Sequence, residues 1–286
     1  MNARTWIAVL AGMVAARGVC GRCERDPAPS SARLATFNIE NFPKHARQTE
    51  AAFDEIAALD ASVVGVQEIY EPALLAREAK ARLGDTWELV SADTAPTATR
   101  YPSHHLGVLF DRATWRHVAT RVHDETRLDG RQKPTLEVEL ATPGGVHVRV
   151  LVVHLKAGGD GRAIRHRQYA ALASIVREAR RSGDRVVLMG DFNATDDRGD
   201  RADLAELAAT TATSWATEPL ACSAFWDRDD GCFRSRLDHV LVSTPATTVE
   251  AAGACATEGC ERQDTCPLYT REVSDHCPIV IGLPLD

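Results

Sequence analysis

The polar residues able to do chemistry stand at the ends of apolar runs. Asn38 follows Leu34 and Thr36 at two-residue spacing, Glu68 follows Val64 and Val66, and His154 follows Val148, Val150 and Val152. In a strand that period aims each one to the side of its apolar predecessors, where burial is costly unless a partner or a metal compensates. Asp191 and Asn193 come after the apolar run 186–189, across Gly190, and Asp275 and His276 stand just before the last apolar run. Each has a bland reading on its own: Glu68 caps the next helix, Asp191 makes a turn, His154 is a satisfied core histidine. Together the carboxylates, carboxamides and two imidazoles form a hard-oxygen cation site beside acid/base groups. That set suits Mg²⁺-assisted attack on a phosphate, with Ca²⁺ or Mn²⁺ as further ions.

The elements that must hold these residues alternate in kind. Residues 33–39 read as a strand, and Thr49, Ala52, Phe53, Ile56 and Leu59 place one apolar face on a following helix. A buried strand at 62–69 and a helix at 73–83 come next. Strands are expected at 106–110, 115–122 and 135–140, with a hairpin through Pro143-Gly144-Gly145 into 146–155. A helix over 162–181 precedes strands at 185–189, 237–242 and 278–282. Strand-helix alternation in some places and strand after strand in others predicts an α/β protein with mixed sheets and helices outside them.

Residues 1–26 read as a leader, with Arg4 before the apolar stretch 6–16, and 27–31 as a Pro/Ser-rich linker. A single domain is expected over 32–286, in a secreted or periplasmic protein. Cys20-Gly21-Arg22-Cys23 has no strand before it to support a redox motif, and Cys20 as a lipid-attachment point is an alternative reading. The other six cysteines, Cys222, Cys232, Cys255, Cys260, Cys266 and Cys277, suit disulfides in an exported chain better than zinc, because C-x2-C spacing is absent. The pair expected on proximity in sequence is Cys222–Cys232.

The 286 residues are 44% hydrophobic and 26% charged, close to globular averages, which excludes disordered, collagenous and coiled-coil classes. Beyond the leader no apolar run reaches the roughly 20 residues of a membrane span. A net charge of −7 excludes a global basic field, so a polyanion must be met by a local patch or a metal. Nothing in the sequence calls for an obligate protein partner, and a monomer is expected.

Six segments carry a resemblance: Leu34-Ala35-Thr36-Phe37-Asn38-Ile39, Val66-Gln67-Glu68, Val153-His154-Leu155-Lys156, Gly190-Asp191-Phe192-Asn193-Ala194, Arg236-Leu237-Asp238-His239-Val240 and Ser274-Asp275-His276-Cys277-Pro278. In this order they resemble the motifs of the endonuclease/exonuclease/phosphatase superfamily, which includes deoxyribonuclease I. The resemblance implies a four-layer α/β sandwich, two mixed β-sheets packed face to face with helices outside. It also implies roles. Asn38 and Glu68 hold a divalent cation with Asp275 close by, His276 is a general base poised by Asp238, Asp191 and Asn193 orient water and phosphate, and His154 stabilises the phosphate. One segment departs from the pattern: deoxyribonuclease I pairs the motif histidine with a carboxylate, whereas residues 101–106 read Tyr-Pro-Ser-His-His-Leu and hold no acid.

Within the superfamily, export and the cysteine-rich tail fit a secreted nuclease or a secreted sphingomyelinase, and a nuclease acting on DNA, or on RNA, is the leading expectation. A sphingomyelinase-like phospholipid phosphodiesterase and a phosphatase are the alternatives, the former disfavoured because no aromatic-rich hairpin is evident. A non-catalytic binding protein on the same fold is the reading from another class; competent residues at every matched position count against it. Lys156, Arg162, Arg165, His166 and Arg167 form a basic run in a glycine-rich loop and the next helix start, expected to track a nucleic-acid backbone. By the resemblance, Arg131 and Lys133 extend that patch along the cleft.

Overall fold

Strand β1 (Ser31–Phe42) runs through helix α1 (Ala46–Ala58) into β2 (Val63–Ile69), parallel to β1. The computed structural model of the chain describes residues 30–94 and 104–286, so the leader, Cys20, Cys23 and residues 101–103 lie outside the described residues. After α2 (Pro72–Leu83) come β3 (Trp87–Asp93), β4 (His105–Asp111), β5 (Arg116–His123) and β6 (Thr135–Ala141). A second crossover follows, from β7 (His147–His154) through α3 (Arg162–Arg181) to β8 (Arg185–Asp191), again parallel. The remainder is α4 (Arg198–Thr211), β9 (Ser214–Trp215), a hairpin of β10 (Ala224–Arg228) and β11 (Gly231–Ser235), β12 (Asp238–Val242), β13 (Thr248–Ala251), the short helices α5 (Gly253–Thr257) and α6 (Tyr269–Glu272), and β14 (Ile279–Pro284).

Two six-stranded mixed sheets result, ordered β13-β14-β1-β2-β4-β3 and β5-β6-β7-β8-β12-β9. Their inner faces share one core, in which Leu34, Val63, Val108 and Ile281 of the first sheet meet Val138, Val150, Met189 and Val240 of the second. The period of two then turns Phe37, Val64 and Val66 outward onto Phe53, Ile56 and Leu75 of α1 and α2. On the far side Leu151, Val153 and Leu188 pack against Leu172, Val176 and Leu204 of α3 and α4. The layers are therefore helix, sheet, sheet, helix, the four-layer α/β sandwich expected. Gly65 marks how closely the sheets approach: a Cβ there would lie 2.9 Å from Met189 Sδ and 3.0 Å from Val152 Cγ2.

Both parallel pairs end on the same edge of the sandwich. Ligand sites in parallel α/β units form at the carboxyl ends of strands. Here Asn38, Glu68, His154 and Asp191 occupy those ends or lie next to them.

Three disulfides knit the segment between Cys222 and Cys277: Cys222–Cys260, Cys232–Cys266 and Cys255–Cys277. The expected Cys222–Cys232 pair is thus incorrect. Hairpin register sets Cys232 opposite Asp227, five residues along the strand from Cys222, a gap of roughly 17 Å at strand rise. No helix among the described residues is long and apolar enough to cross a membrane.

Candidate active site

Asp238 opens β12 and is 1% exposed. Its Oδ2 accepts a 2.8 Å hydrogen bond from His276 Nδ1 and a 2.7 Å bond from Ser223 Oγ. That leaves His276 Nε2 facing Asp191 Oδ2 at 3.9 Å and Asp275 Oδ1 at 3.9 Å. Burial alone would lower the His276 pKa, but the Asp238 and Asp191 carboxylates outweigh it and hold the imidazolium well above its ordinary range. Ser274 Oγ fixes the approach, accepting from the His276 amide and donating to Asn38 O of β1.

Asp191 reaches the cleft because of Gly190, whose φ of +139° and close approach to Val153 O admit no side chain. Asn193, with φ +51°, donates to Asp191 from its backbone N at 2.8 Å and from Nδ2 at 3.1 Å. Asn38 Nδ2 reaches Asp191 Oδ2 at 3.1 Å and Glu68 Oε1 at 3.3 Å. Burial pushes the Asp191 carboxyl up to about 7 and that of Asp275 up to about 6.

Glu68 arrives by an unexpected route. Val64 and Val66 belong to the helix-side core, so strict alternation would turn Glu68 toward the helices. A register shift after Val66 and a φ of +63° at Glu68 re-aim its carboxylate into the cleft. There Oε2 accepts from the Asn41 amide at 3.2 Å.

His154 has no carboxylate in the role its segment lacked. Lys133 Nζ lies 2.7 Å from its Nδ1 and 3.0 Å from its Nε2, and the His104 ring stacks parallel to it at 6.4 Å. Asp191 Oδ2 is 3.4 Å away and Glu68 Oε1 3.8 Å. Burial, Lys133 and His104 all push the His154 pKa well below its ordinary value, so His154 is a neutral imidazole. Burial also brings Lys133 down to about 8, against the pull of Glu68 and Asp191. The positive charge beside His154 therefore sits on Lys133.

The structure brings Asn38, Glu68, His154, Asp191, Asn193, Asp238, Asp275 and His276 together around one cleft of about 510 Å³, rimmed by Ala157, Trp226 and Arg271. It does not bring the basic run there. Arg165 is 1% exposed and spends its guanidinium on Asp200, at 2.9 and 3.0 Å, and on the carbonyls of Lys156 and Gly158. Arg162 pairs with Asp203 at 3.0 Å, which also lies 3.5 Å from His166. Both acids come from α4, a helix absent from the sequence-based reading. Lys156 stays at the rim, donating to Ala157 O, and Arg131 is exposed.

Sequence reasoning also missed Glu40, Asn41, His104 and Ser223. Glu40 and Asn41 directly follow the Asn38 segment, and both adopt positive φ, 39° and 57°; a polar pair beyond a strand end was the available signal. A second omission is the β10–β11 hairpin at the cleft, which carries Phe225, Trp226 and Phe233. Its aromatics are capped by guanidinium groups: Arg228 lies 5.8 Å from the Trp226 ring and 5.2 Å from Phe233, and Arg262 is 4.6 Å from Phe233.

The donor set fits a hard dication. Glu68 and Asp275 both line the cleft and offer carboxylate oxygens, the hard donors such an ion takes.

Among solved structures, zebrafish (D. rerio) TDP2 complexed with a single-strand DNA product superposes with a TM-score of 0.66 at 16% identity, covering 89% of this chain and 99% of that one. The human Nocturnin catalytic domain with bound sulfate gives 0.64 at 16% identity, with 90% and 95% covered. A mannosyl-6-phosphatase of Bacteroides thetaiotaomicron gives 0.59 at 15% identity, with 88% and 98% covered. These likenesses establish the shared fold. No curated protein matches the sequence. The model of the Endonuclease/Exonuclease/phosphatase family matches residues 35–276, from the first motif strand to the histidine of the Asp238–His276 pair, and the chain belongs to that family.

Proposed function

We propose that the chain is an exported, divalent-metal-dependent phosphodiesterase whose substrate is nucleic acid, DNA in the first place and RNA in the second. The observation that carries the chemistry is the Asp238–His276 pair aimed at Asp191, in one cleft with Glu68 and with His154, behind which Lys133 stands. Export is supported by the apolar leader pattern and by three disulfides.

Glu68 and Asp275, with Asn38 alongside, would hold Mg²⁺, or Ca²⁺ or Mn²⁺ in its stead; the ion supplies charge neutralisation at the phosphate. Asp238 fixes the His276 tautomer by accepting a hydrogen bond from Nδ1–H, so that neutral His276 accepts a proton from water at Nε2. The surrounding carboxylates disfavour that neutral form until positive charge is bound among them. Asp191 and Asn193 orient the water and the phosphate, the Lys133 ammonium meets the phosphate charge, and neutral His154 donates a hydrogen bond toward the leaving oxygen.

Trp226, 37% exposed at the cleft, offers a flat face to a base. The TDP2 complex with single-strand DNA product is consistent with such a substrate on this fold. The aromatic hairpin removes the sequence-based objection to a phospholipid substrate, but its turn carries Asp229 and Asp230 and the charged Arg228 stands beside Trp226 and Phe233, which makes a poor membrane wedge.

The test is hydrolysis by the purified protein of plasmid DNA, RNA, sphingomyelin, a sugar phosphate and bis-p-nitrophenyl phosphate, with Mg²⁺ and with EDTA. Metal-dependent cleavage of nucleic acid and of the small diester is expected. Full activity in EDTA, or turnover confined to sphingomyelin or the sugar phosphate, would overturn the reading.

A further inference from the structure

The segment where an acid is missing does not leave a gap. It supplies His104, and with it a donor set chemically unlike the oxygen ligands of the proposed Mg²⁺ site. His104 Nε2 lies 3.9 Å from Glu68 Oε2, and His154 Nε2 lies 3.8 Å from Glu68 Oε1. One ligand atom from each of the three falls within 4.8 Å of the others. The two imidazoles are held nearly parallel, at 14°, with Tyr70 packed on the other ring neighbour at 4.5 Å from His104. Asn41 Oδ1 accepts a hydrogen bond from His104 Nε2 at 2.8 Å; with the imidazole proton moved to Nδ1, an ion would replace that bond and find Oδ1 as a fourth donor.

We infer that Glu68, His104 and His154 form a second cation site, selective for a borderline transition-metal ion of the Zn²⁺ class. Two imidazoles and one carboxylate are a set that favours Zn²⁺ over Mg²⁺, which prefers oxygen and keeps its waters. Ligand bonds near 2.1 Å at tetrahedral angles set the donors about 3.4 Å apart, so the trio closes on an ion by side-chain shifts of up to about an ångström. Lys133 occupies the same neighbourhood, with its ammonium 2.7 Å from His154 Nδ1. In the metal-free protein this ammonium is the cation of the cluster, and an incoming ion must overcome its repulsion. Because the site takes Glu68 and His154 for itself, Zn²⁺ bound there excludes Mg²⁺ at Glu68 rather than substituting for it.

The experiment is titration of the purified wild-type chain with Co²⁺ alone, followed by its visible d–d absorption, and displacement of Co²⁺ by Zn²⁺. A band should appear and be removed by Zn²⁺. His104→Ala should weaken binding by more than roughly a hundredfold, beyond the ten- to hundredfold that loss of an outer-shell partner costs. Lys133→Met should tighten it several-fold, a gain that misfolding cannot produce, while Asp238→Asn should leave the band in place. The readout is binding, so it stands apart from whether the chain hydrolyses a phosphodiester. Undiminished Co²⁺ binding by His104→Ala, no tightening in Lys133→Met, or loss of the band in Asp238→Asn would each overturn the site.

Discussion

His276 and Asp238 meet at 2.8 Å although they belong to different sheets, Asp238 opening β12 of one and His276 lying just before β14 of the other. The hydrogen bond therefore spans the seam of the sandwich, and the proton-accepting nitrogen is aimed only when both sheets are packed.

A pair linked in this way should act as one unit. His276→Ala and Asp238→Asn are each expected to lower kcat on a small phosphodiester roughly a hundredfold or more, the usual weight of general acid-base catalysis. The double variant should lose far less than the product of the two. Steady-state kinetics of the three variants decides it, since multiplicative losses mean separate roles.

Lys133 is expected to work in its charged form. With its pKa brought to about 8 by burial, activity should fall as pH rises through that region and the ammonium is lost. Lys133→Met should lose roughly a hundredfold below that pH, the scale of one charge-stabilising donor, with the deficit narrowing as pH rises through it. Lys133→Arg keeps its charge and should retain activity to higher pH. An unchanged alkaline limb in Lys133→Arg would assign that limb to another group.

Arg165 is expected to matter for folding and not for nucleic-acid contact. Its ion pair with Asp200 is buried at both ends, and removing one partner strands the other. Arg165→Ala should cost about 3–5 kcal/mol in urea denaturation, while the salt dependence of cleavage by the folded fraction keeps its slope. A flatter salt slope without destabilisation would restore Arg165 to the substrate surface.

Reducing Cys255–Cys277 should disturb the site directly. Cys277 follows His276, and its amide donates to Ser223 O at 2.7 Å, beside the hydroxyl that holds Asp238. The bridge closes a loop of sequence separation 22, for which chain entropy suggests about 3 kcal/mol. The Cys255→Ser/Cys277→Ser protein should show a lowered Tm and a lowered kcat, and normal kcat at a lowered Tm would separate the two effects.

His239 provides a pH test of the core. It is fully buried between Trp215 Nε1, 3.2 Å from Nδ1, and Ala194 O, 3.3 Å from Nε2, and burial brings its pKa down to about 3. The unfolded chain binds this proton below about 6.5 while the folded chain does not, so its contribution is complete above that pH and is lost as pH falls toward 3. Over that window stability should rise with pH by up to about 1.4 kcal/mol per unit from this group. The urea midpoint of His239→Gln, compared with wild type across the acid range, should show a shallower slope; parallel curves would count against it.

Much of the site was legible because its residues sit at ends of strongly patterned strands. Asn38, His154, Asp191 and His276 stand at or beside apolar runs inside the motif segments, and local order along the chain was enough to single them out as candidates, which the fold gathers around one cleft. Mixed sheets with helices outside them were legible from the alternation of strands and helices, while the four layers were what the resemblance of the six segments implied. Tertiary structure decided everything that depends on partners distant in sequence. Glu68 enters the cleft through a bulge that breaks its alternation, and Arg165 leaves the expected patch because α4 brings Asp200 to it. The cysteines pair across hairpin register instead of by proximity. His154 takes Lys133 and His104 as neighbours because β6 and β4 deliver them from opposite sheets. A side chain's chemical type is written in the sequence, but its charge state and direction depend on the groups that packing places within a few ångströms, and those contacts exist only once the sheets have closed.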